Sequence, residues 1–240
     1  TWLGLAQDGR VALLTNVRSG TPKSAPRSRG ELVNSWLDAS SDWEDWLPRF
    51  DPRQYGGFNL VLGDLSRGRW AWVSNREAEA VRPADTDGTG RQAMTAGWHG
   101  RRLGPGLYGL SNAALDTPWP KTIALKRALQ RHIDVGAKAD DSGDLLNALL
   151  DRVPASDAEL PSTGIALDIE KALSSAFVHA PAIGYGTRSS LLVHCHADGR
   201  LDAREWTHET GTHAMPAGRP ARWPLANSRC GSLESVLALT

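Results

Sequence analysis

The sequence predicts an α+β protein in which antiparallel hairpins are interspersed with helices. Three observations carry that prediction. Asp8-Gly9, Ser66-Arg67-Gly68 and Asp198-Gly199 each separate two β-prone runs, as hairpin turns do. Several other stretches, clearest at 117–133, place apolar residues at helical spacing. Strands and helices do not alternate strictly, which disfavours a parallel βαβ sheet.

Taken in order, TWLGLAQDGRVALLTN (1–16) reads as a hairpin turning on Asp8-Gly9. The Pro, Ser, Gly and basic residues of 17–29 mark a loop. In SRGELVNSWLDA, Leu32, Val33, Trp36 and Leu37 share one face of a short helix. SDWEDWL begins another, with Ser41 and Glu44 spaced as a capping box. GGFNLVLGDLSRGRWAWVSN (56–75) is a second hairpin, and the Gly, Asp and Arg of 76–106 predict a long surface excursion with Arg101 and Arg102 solvated.

GLYGLSN reads as a strand stopping at Asn112. The helix that follows takes Pro120 in its first turn and an apolar face of Ile123, Leu125, Ala128, Leu129 and Ile133. SGDLLNALLDRV is a helix capped by Ser142 or Asp144, and DIEKALSSAFV is a further one. SSLLVHCHADGRLDAREW forms a third hairpin, and the tail from His208 has no assignable pattern.

Composition bounds the partners. The 240 residues carry 27 Lys+Arg against 27 Asp+Glu, so there is no global basic field to favour nucleic acid or an anionic membrane. With 40% hydrophobic and 22% charged residues, the chain can build a sizeable core. No apolar run approaches the ~20 residues of a membrane span. Cys195 and Cys230 are too few for a disulfide framework, so a reducing, cytoplasmic setting is the default expectation and Cys195 reads as a buried packing residue. Ten Trp against three Phe and three Tyr points to packing rather than ligand stacking.

Three polar residues stand where apolar strands end: Asn16 after VALLT, Asn112 after YGLS, and Arg188 before SSLLV. A strand terminus is a rigid mount for a working side chain. The plainer readings are a turn or cap role for each Asn and a surface ion pair for Arg188. His194 and His196 share a strand face with Cys195 on the other, and two such ligands are too few for a structural zinc site.

TWLGL…GRVALLTNVR, SRGELV, GGFNLVLGDLS, YGLSNAALDTPWPKT, LPSTG and YGTRSS occur in that order. Together they resemble the NRDE family, also described as transport and Golgi organisation protein 2-like, from residue 1 to about 205. The resemblance implies one domain over 1–205 and leaves the tail 206–240 unassigned. It also implies the four-layer αββα sandwich of N-terminal-nucleophile hydrolases, without its first strands. Cysteine amidohydrolases of that superfamily use an N-terminal cysteine, two strand-end asparagines and a late arginine. Asn16, Asn112 and Arg188 are similar to the last three, which implies hydrolysis of a small amide or acyl substrate.

The nucleophilic cysteine and the Asn-Arg-Asp-Glu motif do not occur here, so this chain is predicted inactive as given. Thr1 resembles an ordinary strand-start threonine of the family and is not expected to replace the cysteine. The family is also linked to haem trafficking and secretory organisation, which implies a non-enzymatic carrier as the alternative. On that reading, exposed tryptophans or His99, His132 or His179 would contact the haem, with no resident cofactor otherwise expected.

Overall fold

The computed structural model describes residues 2–20, 24–76, 97–136, 143–196 and 201–208, with the backbone of 221–222 and 235–239. The chain divides into two compact units, the second beginning at Pro118. Both combine antiparallel sheet with helices.

The first unit is built on a five-stranded sheet in the order β1-β2-β3-β4-β5, formed by Leu3–Leu5, Arg10–Asn16, Phe58–Asp64, Arg69–Ser74 and His99–Leu103. Gly9, at φ 94°, makes the first turn, and a residue with a Cβ is disfavoured there. β2 and β3 pair without a break from Arg10↔Asp64 to Asn16↔Phe58. Helix α1 (Gly30–Leu37) buries Leu32, Val33 and Trp36, as its spacing predicts. They join Ala12, Leu14, Leu60, Leu62 and Val73 in one apolar cluster.

Tryptophans fill this core. Trp36 packs edge-on to Trp46 at 5.6 Å, and its indole N–H donates to the Val11 carbonyl at 2.9 Å. Trp43, Trp72 and Trp98 are buried as well, which bears out the packing reading. Burial of each such side chain is worth about 1.5–3 kcal/mol. A Cβ at Gly63 would stand 2.5 Å from the Trp70 ring.

Three expectations need correction in this unit. α2 (Trp43–Trp46) starts at Asp42, and no side chain caps it. The capping box fails because Arg49 donates to the Ser41 hydroxyl and Glu44 pairs with Arg102. Of the expected excursion, residues 77–96 lie outside the described residues, but His99–Leu103 form the edge strand β5. Its charged residues suit a solvated edge, and Arg101 and Arg102 are exposed as expected, with Asp116 and Glu44 beside them. Residues 107–112 are not a strand. Their backbone bonds go elsewhere: Asp116 N–H donates to the Gly109 carbonyl, and Arg18 N–H to that of Asn112.

The second unit begins with α3 (Pro120–Asp134), whose Pro120 occupies the first turn as expected. Its buried face is Thr122, Ala128 and His132, and Ile133 is exposed, so the apolar face is narrower than the sequence suggested. α4 (Gly143–Leu149) buries Leu145 and Leu149. Asp144 lies inside its first turn, and Ser142 is outside the described residues. α5 (Leu167–Ala172) is shorter than the predicted helix.

A two-residue pair, β6 (His179–Ala180) with β7 (Tyr185–Gly186), precedes a second sheet. That sheet has the order β10-β9-β8-β11, with β8 at Ser189–Cys195, β9 at Leu201–Thr207, β10 at Ala221–Arg222 and β11 at Ser235–Leu239. The β8–β9 hairpin matches the sequence reading, although its Asp198-Gly199 turn lies outside the described residues. The unpatterned tail supplies two strands of this sheet, with β11 pairing along β8 from Ser235↔Cys195 to Leu239↔Leu191. Leu192 and Trp206 of the sheet pack with Ala128, Leu145 and Leu149. Among the described residues, no helix is long and apolar enough to cross a membrane.

Candidate functional site

Asn16 is the last residue of β2, and Asn112 follows the irregular segment 107–111. The fold brings them together. The Asn112 Nδ2 donates to the Asn16 carbonyl at 3.0 Å, and the Asn112 carbonyl accepts from Arg18 N–H at 2.7 Å. Asn112 therefore keeps one of its two amide hydrogens for another acceptor.

The Asn16 carboxamide makes no hydrogen bond within the described residues, and its Oδ1 is buried. A buried amide oxygen left unpaired costs about 1–3 kcal/mol. Structural asparagines at strand ends ordinarily bond their own backbone, so this amide is held for something other than a turn. A half-turn about its Cβ–Cγ bond would present the Asn16 NH2 group in place of the oxygen.

The sequence did not single out the residue that mounts both amides. Asn59 lies in β3 and is fully buried. Its Nδ2 donates to Thr15 Oγ1 at 3.1 Å and to the Ala113 carbonyl at 2.8 Å, while its Oδ1 accepts from Trp72 Nε1 at 3.1 Å. One side chain thus ties the residue before Asn16 to the residue after Asn112. Its signal was available: an Asn within the apolar run GGFNLVLGD must be hydrogen-bonded if buried.

Arg188 belongs to the second unit, just ahead of β8, and is exposed. Its carbonyl accepts from His208 N–H at 2.8 Å. His208 is buried, with its Nε2 2.9 Å from Ser190 Oγ and its ring edge-on to Phe177 at 4.8 Å. The Arg152 guanidinium lies 4.6 Å from the Phe177 ring centre. Burial first, and then the Arg152 charge, hold the His208 imidazole below its ordinary pKa.

The sign of the resulting pH dependence follows from proton binding. Above the ordinary imidazole pKa of about 6.5, His208 is neutral in both folded and unfolded chains, and stability is unaffected. As pH falls below that value, the unfolded chain takes up the proton first, and stability declines until pH reaches the depressed folded value. Thermal melts from pH 7.5 to 5 should show that decline, and His208→Gln should flatten it. An unchanged slope in the variant would assign the loss to other groups.

His194 and His196 do share a face, with rings stacked at 4.1 Å, and His196 Nε2 lies 2.8 Å from Asp202 Oδ2. Among the described residues, no group of three or more His, Cys, Asp or Glu could hold a metal ion. His132 is buried on α3, His99 lies on β5 and His179 is exposed on β6. Cys195 is buried, and its sulfur is disulfide-bonded. The burial was expected and the disulfide was not. Cys230 lies outside the described residues.

Comparison with known proteins now places the chain. The family model described as Transport and Golgi organisation 2 matches residues 1–210. The chain belongs to the Transport and Golgi organisation 2 family. It is 30% identical to the Transport and Golgi organization protein 2 homolog of Bos taurus over 234 residues, covering 93% of this chain and 75% of that protein. It is 31% identical to the Homo sapiens homolog over 216 residues, covering 85% and 71%. The Transport and Golgi organisation 2 match spans both Asn16 and Asn112, and Arg188 as well.

Proposed function

We propose that this member of the family carries the pocket of a cysteine amidohydrolase of the N-terminal-nucleophile type, acting on a small amide or acyl substrate. The observation that supports it most directly is the adjacency of Asn16 and Asn112, with the Asn16 carboxamide unbonded and one Asn112 amide hydrogen to spare. The antiparallel sheets with their helices are the ingredients that fold requires.

In this chemistry a thiol attacks the substrate carbonyl while its proton passes to the α-amine of the same residue. A tetrahedral oxyanion forms, and carboxamide N–H donors at Asn16 and Asn112 stabilise it. The α-ammonium returns that proton to the departing amine, and water then releases the acyl group from sulfur as a carboxylic acid. The family resemblance gives Arg188, in the second unit, the role of a cation that favours negative charge. The thiol is not Cys195, whose sulfur is already committed to a disulfide. The family resemblance assigns it to an N-terminal cysteine.

The test is a panel of acyl amides assayed with the protein carrying whatever residues precede position 1 in its native chain. Asn16→Ala and Asn112→Ala should each lower kcat by about 10²–10³-fold with little change in KM. Unchanged kcat in both variants would remove the oxyanion role. The 240 residues alone should show no thiol-dependent turnover. A carrier role is the second reading, supported by the word transport in the relatives' names. A saturable Soret shift on haem titration, with no turnover in the amide panel, would favour it.

A further inference from the structure

Two guanidinium groups border the strand end that carries Asn16, and no carboxylate among the described residues neutralises either one. The Gly57 carbonyl accepts from Val17 N–H at 3.0 Å and from Arg29 Nη1 at 2.9 Å. Arg29 is therefore one hydrogen-bonded carbonyl away from the residue that follows Asn16. Arg76 lies on the same glycine pair: a Cβ at Gly57 would stand 3.1 Å from its Nε. Among the described residues its Nη1 reaches only the Asn75 carbonyl, at 3.3 Å.

The neighbouring basic residue shows what an ordinary pairing looks like here. Arg27 Nε bonds Glu31 at 2.6 Å, and Glu31 also accepts from the Tyr55 hydroxyl. That carboxylate is thus already engaged. Arg29 and Arg76 hold on to main-chain oxygens instead, which fixes their position but leaves their charge uncompensated. Arg76 is exposed and Arg29 is half-buried, so both can be reached. Partial burial also lowers the Arg29 pKa, a cost that a bound anion would offset.

We propose that Arg29 and Arg76 receive a carboxylate on the substrate, so that the pocket takes acyl amides whose amine part ends in an acid, the N-acyl amino acid class. This rests on the reading of Asn16 and Asn112 as the hydrolytic site. A guanidinium presents a planar fork of donors matched to a carboxylate. Arg29 spends only one of its five N–H groups on Gly57. In an amide-cleaving site, the carbonyl under attack would face the asparagines while the acid end is clamped at the glycine pair. Clamping both ends places the scissile bond, which is what such positioning contributes to rate.

The test uses the 240-residue chain with three probes: N-acetyl-L-phenylalanine, its neutral amide and inorganic phosphate. Affinities come from calorimetry, and locations come from side-chain N–H resonances. The acid should bind at least tenfold more tightly than the neutral amide. The Asn16 and Asn112 amide signals should shift together with the Arg29 and Arg76 Nε–H signals. Arg76→Met, which loses only one main-chain contact, should reduce the preference without altering the melting temperature. Arg29→Met with Arg76→Met should abolish it.

Equal binding of acid and neutral amide would overturn the proposal. If the asparagine signals still shifted, the hydrolase reading would survive that failure. Shifts at the arginines without the asparagines would show an anion site unconnected with the pocket, and would also overturn it. Tighter binding of phosphate than of the acid would overturn the substrate class, as would no binding of any probe.

Discussion

Asn59→Leu is expected to destabilise the first unit by about 3 kcal/mol, or roughly 6–12 °C in melting temperature for a chain of this size. Leucine fills similar space, so the loss comes from polar groups left without partners. The buried Trp72 Nε1 loses its Asn59 Oδ1 acceptor, and Thr15 Oγ1 and the Ala113 carbonyl lose a donor. Trp72→Phe combined with Asn59→Leu separates this from a packing effect. The double variant leaves no indole N–H stranded, and should therefore be less destabilised than the sum of the single variants by about 1–2 kcal/mol. Simple additivity would mean that the hydrogen bonds are not the cause. Because Asn59 ties Thr15 to Ala113, the same change should disturb the Asn112 amide signal.

The parts of the fold that were legible were those specified locally. Asp8-Gly9 and Ser66-Arg67-Gly68 announce their hairpins because the turn itself demands those residues. Pro120 and the apolar spacing behind it announce α3. The misses are non-local. β5 is polar because it is an edge, and nothing in HGRRL shows that Trp70–Ser74 is its partner. β11 becomes a strand by pairing with β8, some forty residues earlier in sequence. Residues 107–112 have strand-like composition, but turn contacts with Asp116 take up their backbone.

The candidate site divides in the same way. Asn16 and Asn112 could be picked out because each polar residue interrupts an apolar run at its end. Their support could not be seen, because Asn59 reads as an interruption in mid-strand until its three partners are known. Arg29 was lost in the background of a basic loop, and Arg76 at the start of the polar stretch 76–106. What distinguishes them from Arg27 is the absence of a carboxylate among the described residues, and that is a property of the fold rather than of sequence spacing.

Glu170→Ala is expected to cost the second unit about 3 kcal/mol. Glu170 lies on α5 with 1% of its surface exposed, unusual for a carboxylate unless it is bonded. It accepts from Thr163 N–H at 2.9 Å and from the Thr163 hydroxyl. The helix thereby reaches back seven residues and pins the LPSTG segment. Charge-assisted bonds of this kind exceed neutral ones by about twofold, so Glu170→Gln, which keeps an acceptor, should lose about half as much. Thr163→Val, which removes the hydroxyl and keeps the N–H, should fall near the glutamine variant. Hydrogen exchange at the Thr163 amide gives a local readout: protection should drop in Glu170→Ala before global unfolding is reached. If that amide stays protected and the melting temperature moves by less than about 2 °C, the carboxylate is not what fixes the segment.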